Sequence, residues 1–272
     1  MNPEVAPDAA DAAQSLALLA GGVVLAPLGI WLARKLFPGR NIFFARWGFS
    51  HLAVALALIG AATFASPVLL GALGWSSPTP VQMLALQSVL FFPALAWVFG
   101  AANRLDPDGW RSLGFGPGRW FRASALGVLA YLASIPFLLG VHGVWRYVLE
   151  ASGAGYSEQE LASQARDLAG PELAAFAVLA VVVAPAIEEL LFRAFLQPLL
   201  VQNLGDRGGV VVTALVFAAA HASLGAFAPI FALGLLLGAL MLRTQRVIAP
   251  FAAHALHNGI MVLALAQNSS AS

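Results

Sequence analysis

Residues 186–195 read AIEELLFRAF, two adjacent glutamates and an arginine set in a long apolar run, with AAFAVLAVVVAP before them and LQPLLV after. A charge at the centre of a membrane span costs roughly 2.5–3.5 kcal/mol by insertion scales. Three charges so close together need a reason, and the rest of the chain says whether water is there to hold them. Hydrophobic residues make up 60% of the 272 residues and charged residues 10%, with a mean hydropathy of +0.82. A soluble domain carries about 25% charged residues. The composition therefore points to an all-α, polytopic integral membrane protein. Cysteine is absent, which excludes disulfides, a thiol nucleophile, thiolate metal sites and a lipidated cysteine anchor. The net charge of +1 gives no sign of a nucleic-acid partner. The acidic start MNPEVAPDAADAAQ lacks the basic region of a signal peptide, so the first apolar run is expected to be a permanent span.

A helix needs about 20 apolar residues to cross the hydrocarbon core. Runs of that kind predict about eight transmembrane helices, near 14–36, 50–74, 80–101, 121–147, 172–201, 208–226, 228–243 and 247–267. The sixth and seventh are parted only by AFAP around Pro229, which predicts a tight hairpin or one broken helix. Polar linkers fall at 76–80, 103–119 and 151–171, and SEQE in the last resembles the start of a short surface helix over 157–168. Of the 14 Lys and Arg residues, 11 lie in alternate loops on one side, Arg146 and Arg166 lie on the other, and Arg193 is inside a span. This positive-inside asymmetry predicts that both termini are non-cytoplasmic. The organisation expected is an N-terminal set of about four spans over 1–160, followed by a membrane core over 165–267.

Only two acidic residues, Glu188 and Glu189, fall deep in a span. At 3.6 residues per turn Glu189 and Arg193 are i,i+4 neighbours, whereas Glu188 points about 100° away. Glu189 and Arg193 are thus a natural supporting ion pair. Glu188 is left without a local cation, free to act as a general base or acid. The plain alternative is an ion pair that locks two helices. His51 and His142 lie near span ends and are set aside. His221, in FAAAH of the sixth span, and His254, His257 and Asn258, in HALHN of the eighth, remain. His254 and Asn258 share a helix face, with His257 about 60° to the side. No aspartate lies in a span, no HExxH occurs, and SGAG at 152–155 is in a loop, which excludes two-aspartate, zincin-type and serine-elbow chemistry. Glu, His and Asn together suit activation of water and stabilisation of an oxyanion, or retention of a divalent metal with an open position.

In order and in late spans, EELLFR (188–193), FAAAH (217–221) and HALHN (254–258) match the patterns EExxxR, FxxxH and HxxxN. They resemble the CPBP family of intramembrane proteases, which groups type II CAAX prenyl endopeptidases with bacterial proteins of bacteriocin processing and self-immunity, also called the Abi family. The resemblance covers about residues 165–267. It implies that Glu188 is the catalytic carboxylate, that Glu189 and Arg193 support it, and that His221 helps hold water or metal. It implies that His254 and Asn258 hold the metal or the oxyanion. His257 lies outside the pattern and is a candidate for an outer supporting role, while Phe192 and Phe217 read as packing residues. Two alternatives stay open: a divalent ion such as Zn2+ held by Glu188, His221, His254 and Asn258, or a metal-free glutamate.

The function expected is hydrolysis of a peptide bond in a membrane-embedded or hydrophobic peptide or protein. The Ala- and Gly-rich chain reads as bacterial, from the cytoplasmic (inner) membrane, where a prenylated substrate is not expected. A proton-coupled transporter using the same residues as a relay, and a non-catalytic immunity or scaffold protein, are the alternatives. For the last, Gly234 and Gly238 in GLLLG give the seventh span a face of small residues that suits packing inside the bundle or against a partner.

Overall fold

The computed structural model describes residues 13–23, 45–156 and 165–269. Every regular element among them is helical: α1 (Ala13–Val23), α2 (Phe49–Ala72), α3 (Pro80–Leu90), α4 (Phe92–Leu105), α5 (Trp120–Ala151), α6 (170–204), α7 (206–220), α8 (Leu224–Thr244) and α9 (Ile248–Ser269), with 3-10 turns at Gly109–Leu113 and Ala165–Asp167. The short helix expected over 157–168 lies mostly outside the described residues. Large apolar side chains face outward, among them Phe64 at 82% and Phe121 at 86% exposure. Such a surface is satisfied by lipid and not by water, and the protein is a multi-pass integral membrane protein.

Among the described residues six helical stretches are long and apolar enough to cross a membrane, against the eight expected. The first expected span contributes only α1, and its remainder lies outside the described residues. The fifth and sixth are joined in one stretch, Gly170–Ala220, of 51 residues. At 1.5 Å per residue a straight helix of that length would run about 76 Å, more than twice the hydrocarbon thickness. It is not straight. Gly205 has φ 73° and ψ 171°, a conformation essentially restricted to glycine. Beyond it α7 folds back along α6: the rings of Phe192 and Phe217 meet at 5.2 Å, and a methyl group on Gly209 would stand 2.6 Å from the Val201 Cα.

The boundary expected near Pro229 is also displaced. α7 ends at Ala220, Ala222 takes a positive φ of 48°, and Ser223 caps α8 by accepting from the Ala226 N–H at 3.3 Å. Pro229 sits inside α8. His221, expected within a span, is therefore the residue that ends α7. The cap decides this: a serine hydroxyl satisfies an orphan helix donor, while a proline inside a span is tolerated where neighbouring groups satisfy the carbonyl it frees.

Two π-helical segments interrupt α6, at Leu179–Val183 and Glu189–Leu196, and a proline follows each within two residues, Pro185 and Pro198. A proline offers no N–H to the carbonyl one turn back, and widening the helix redistributes the bonds around that gap. The segment carrying Glu189 and Arg193 is thus wider than the α-helix assumed from its spacing, while Glu188 ends the α-helical turn before it. Around it, Trp47, Val98, Leu113, Ile187, Leu191, Phe195 and Met241 form one core. Trp47 stacks on Phe195 at 5.0 Å and donates its indole N–H to the Phe195 carbonyl at 2.9 Å. α8 lies against α6 and α7 through its small residues: Gly234 abuts Ala214 and Phe217, and Gly238 abuts Val210 and Gln197. Gln197 donates to the Gly238 carbonyl at 2.8 Å. The GLLLG face therefore packs inside the bundle. α5 and α9 meet at Gly127, which lies so close to the Ala249 carbonyl that no side chain would fit.

Candidate active site

Glu189 is fully buried, as is Arg193. The Arg193 Nε stands 3.6 Å from Glu189 Oε2, an ion pair without a hydrogen bond. The π-helical turn explains the length, because i,i+4 positions no longer stack one above the other as they do at 3.6 residues per turn. The guanidinium is held from another side by the Phe217 ring, 4.2 Å from its Cζ. A desolvated cation over an aromatic face gains more than an exposed one. Phe217 is fully buried, so beyond packing it supplies the surface on which the arginine rests.

The other oxygen of Glu189, Oε1, accepts a hydrogen bond from His254 Nδ1 at 2.8 Å. A carboxylate accepts only, so Nδ1 carries the proton and the ring orientation is set. The opposite ring atom, Nε2, faces Glu188 Oε2 at 3.7 Å. The result is a line of four side chains, Arg193, Glu189, His254 and Glu188, running from a sealed interior outward. At its end the Glu188 side chain is 26% exposed. Two neighbours in sequence thus occupy opposite environments, one carboxylate enclosed between Arg193 and His254 and one open to a cleft.

Asn258, one turn beyond His254, donates from its side-chain nitrogen to the Ala180 carbonyl at 2.8 Å. The need for that bond follows from the first π segment. The Ala184 N–H bonds to Leu179, five residues back, so it is lost to Ala180. The next residue, Pro185, has no N–H to offer. The Ala180 carbonyl is orphaned by its own helix and satisfied by α9. One amide hydrogen and the carbonyl oxygen of Asn258 remain for other partners.

The remaining candidates lie around this line. His221 Nδ1 donates to the Phe217 carbonyl at 2.8 Å, and its ring meets the Phe217 ring edge-on at 4.8 Å. Phe217 also meets His254 at 5.7 Å, so a single ring separates the two imidazoles. His221 makes no ion-pair contact with Glu188. His257 turns towards α5, where the Tyr131 hydroxyl stands 3.0 Å from its Nδ1. Tyr131, and with it Gln87 of α3 beside Glu188, escaped the sequence reading. Each is an isolated polar side chain in an apolar span with no motif around it. Among the described residues no three His, Asp or Glu side chains converge as metal ligands. The Nδ1 bonds of His254 and His221 leave Nε2 of each ring, with the Asn258 carbonyl oxygen, as the atoms able to hold a ligand. A divalent ion held by three or four protein ligands would need these groups and Glu188 to draw closer together than they stand.

No curated protein and no solved structure matches the chain. The stretch that does match a known family holds the whole line of charges together with His221 and Asn258: residues 170–260 match the family model Type II CAAX prenyl endopeptidase Rce1-like, and the chain carries a domain of that family.

Proposed function

We propose that the protein is an intramembrane endopeptidase in which Glu188 activates water against a peptide bond of a hydrophobic peptide or membrane-protein segment. The family match implies a protease. The observation that carries the residue assignment is the contrast between Glu189, sealed between Arg193 and His254, and Glu188, open beside the same histidine. A water donating one hydrogen bond to Glu188 Oε2 and one to His254 Nε2, each at about 2.8 Å, spans their separation with modest bending. In the attack the water oxygen bonds to the carbonyl carbon as its proton passes to Glu188. The free amide hydrogen of Asn258 is assigned to the oxyanion that forms. Collapse breaks the carbon–nitrogen bond, and Glu188 returns the proton to the departing amine. Glu189 and Arg193 touch neither substrate nor water and hold His254 in place. His221 and the pair Tyr131–His257 line the same interior.

The reading places eight crossings with both termini on the non-cytoplasmic side of a bacterial inner membrane, and catalysis in the core over 165–267, using the glutamate without a metal. Its test is cleavage of internally quenched apolar peptides by the full chain reconstituted in vesicles. Glu188→Gln should lower kcat by 10²-fold or more while the protein still inserts and melts normally. Activity should also survive a chelator with no metal retained by the purified protein. Full cleavage by Glu188→Gln would overturn the assignment, and loss on chelation with recovery on adding Zn2+ would overturn the metal-free mechanism.

A further inference from the structure

Hydrolysis in an apolar bundle needs a route for water, and the structure offers a candidate beside Glu188. There a cleft of about 50 Å3 lies between α3 and α6, lined by Gln87, Ser88 and Glu188 with Leu84, Phe91 and Ile187. Size decides what it takes. One water needs roughly 10–15 Å3 of this kind of volume, whereas pockets that enclose small organic ligands begin near 300 Å3. The cleft suits a few waters and no peptide.

Its polar lining points the same way. Ser88 donates its hydroxyl to the Leu84 carbonyl at 2.7 Å, which leaves the oxygen lone pairs as acceptors. Gln87 is exposed, and its side chain makes no hydrogen bond among the described residues. It lies seven residues into the helix that starts at Pro80, about 10 Å below its end at 1.5 Å per residue. A carboxamide at that depth in hydrocarbon, with neither protein nor water to bond, carries a cost of several kcal/mol. Water in the cleft removes the cost.

We infer that the α3–α6 cleft supplies the hydrolytic water to Glu188 and that Gln87 is the residue that recruits and positions it. The inference rests on Glu188 being the base proposed above. In each turnover one water is consumed: its oxygen bonds to the acyl carbon, one proton passes through Glu188 to the amine, and the cleft delivers the next water. Gln87 and Ser88 belong to α3, outside the 170–260 match, which gives the N-terminal helices a part in the reaction.

Two measurements test this, and the first does not depend on activity. The chain has no cysteine, so Gln87→Cys and Val89→Cys each create a sole thiol. In the full chain, reconstituted in phosphatidylethanolamine–phosphatidylglycerol vesicles, a charged water-soluble methanethiosulfonate should modify Gln87→Cys at least tenfold faster than Val89→Cys. Val89 is the more plainly lipid-facing residue at 57% exposure. Equal rates would overturn the water-filled cleft. In the second, Gln87→Met, close in shape but unable to hold water, should lower kcat on the quenched apolar peptide about tenfold, with KM within twofold and the melting temperature unchanged. Raised KM at constant kcat would make Gln87 a substrate contact, and unchanged kinetics would remove it from the reaction; either overturns the proposal. Glu188→Gln run beside it separates the two levels. If that variant cleaves, the assignment of the base fails, while the thiol rates still judge the cleft.

Discussion

Asn258 and Pro185 should be energetically coupled, although the sequence sets them 73 residues apart. The perturbation is Asn258→Leu, which keeps volume and apolar character in the span but removes the donor to the Ala180 carbonyl, now bonded at 2.8 Å. No other donor is at hand, because the Ala184 N–H is taken by Leu179 and Pro185 has none. Leaving a buried acceptor unpaired costs about 1–3 kcal/mol. Hydrogen bonds in membrane proteins average nearer 0.6 kcal/mol, so a loss of about 1–2 kcal/mol is expected. That corresponds to roughly 2–8 °C in melting temperature for a chain of this size. Pro185→Ala restores an N–H one turn beyond Ala180 and Val181, able to take over the orphaned carbonyl. In that background Asn258→Leu should cost less than half as much. The assay is thermal unfolding of the four proteins of the cycle in one detergent, and the coupling is the difference between the two Asn258 effects. Equal losses in both backgrounds would refute the reasoning, and so would a neutral Asn258→Leu in the wild-type chain. Activity belongs outside this cycle, since Asn258 is also the proposed oxyanion donor.

The buried pair predicts a steeper effect. Arg193→Met leaves Glu189 enclosed with His254 as its one remaining partner and should cost about 3–5 kcal/mol of stability; Glu189→Gln added to it should restore at least half, read by the same melting assay, and no restoration would mean that the arginine acts through packing on Phe217 alone. Gly205, at φ 73° and ψ 171°, should tolerate no side chain cheaply: Gly205→Ala should cost about 1–3 kcal/mol, measured by thermal unfolding, and a neutral result would place the turn between α6 and α7 elsewhere.

The helical spans of the chain and the split between the two glutamates were legible because both depend on local spacing. Apolar runs mark spans wherever the backbone must satisfy itself, and Glu189 stands next to Arg193 whether the turn is α or π. What the spacing misled was geometry that depends on hydrogen bonds the sequence does not display. Pro185 and Pro198 are visible as letters, but their effect is to shift the bonding of the residues before them, which widens the helix and lengthens the ion pair. The end of α7 at Ala220 turned on the Ser223 cap, a weak signal beside the conspicuous Pro229. Tyr131 and Gln87 were hidden for another reason: a single polar residue in a span has meaning only through what it faces, and its partners are 126 residues away in His257 and about 100 away in Glu188.

The order of the four side chains explains why the pair EE occurs at all. A lone carboxylate in this interior would be held down by its desolvation cost, and a lone histidine would be free to turn. Glu189 resolves both, since its burial is compensated by Arg193 on one oxygen and its other oxygen fixes the His254 ring. That ring in turn presents Nε2 to Glu188, which needs no cation of its own because it borders a cleft. The two glutamates are therefore not interchangeable despite their adjacency. Exchanging their surroundings would require rotating the helix by about a quarter turn, and the prolines that set its π segments fix that rotation. In the proposed mechanism, the charge at 189 supplies the order in which the carboxylate at 188 exchanges a proton with water.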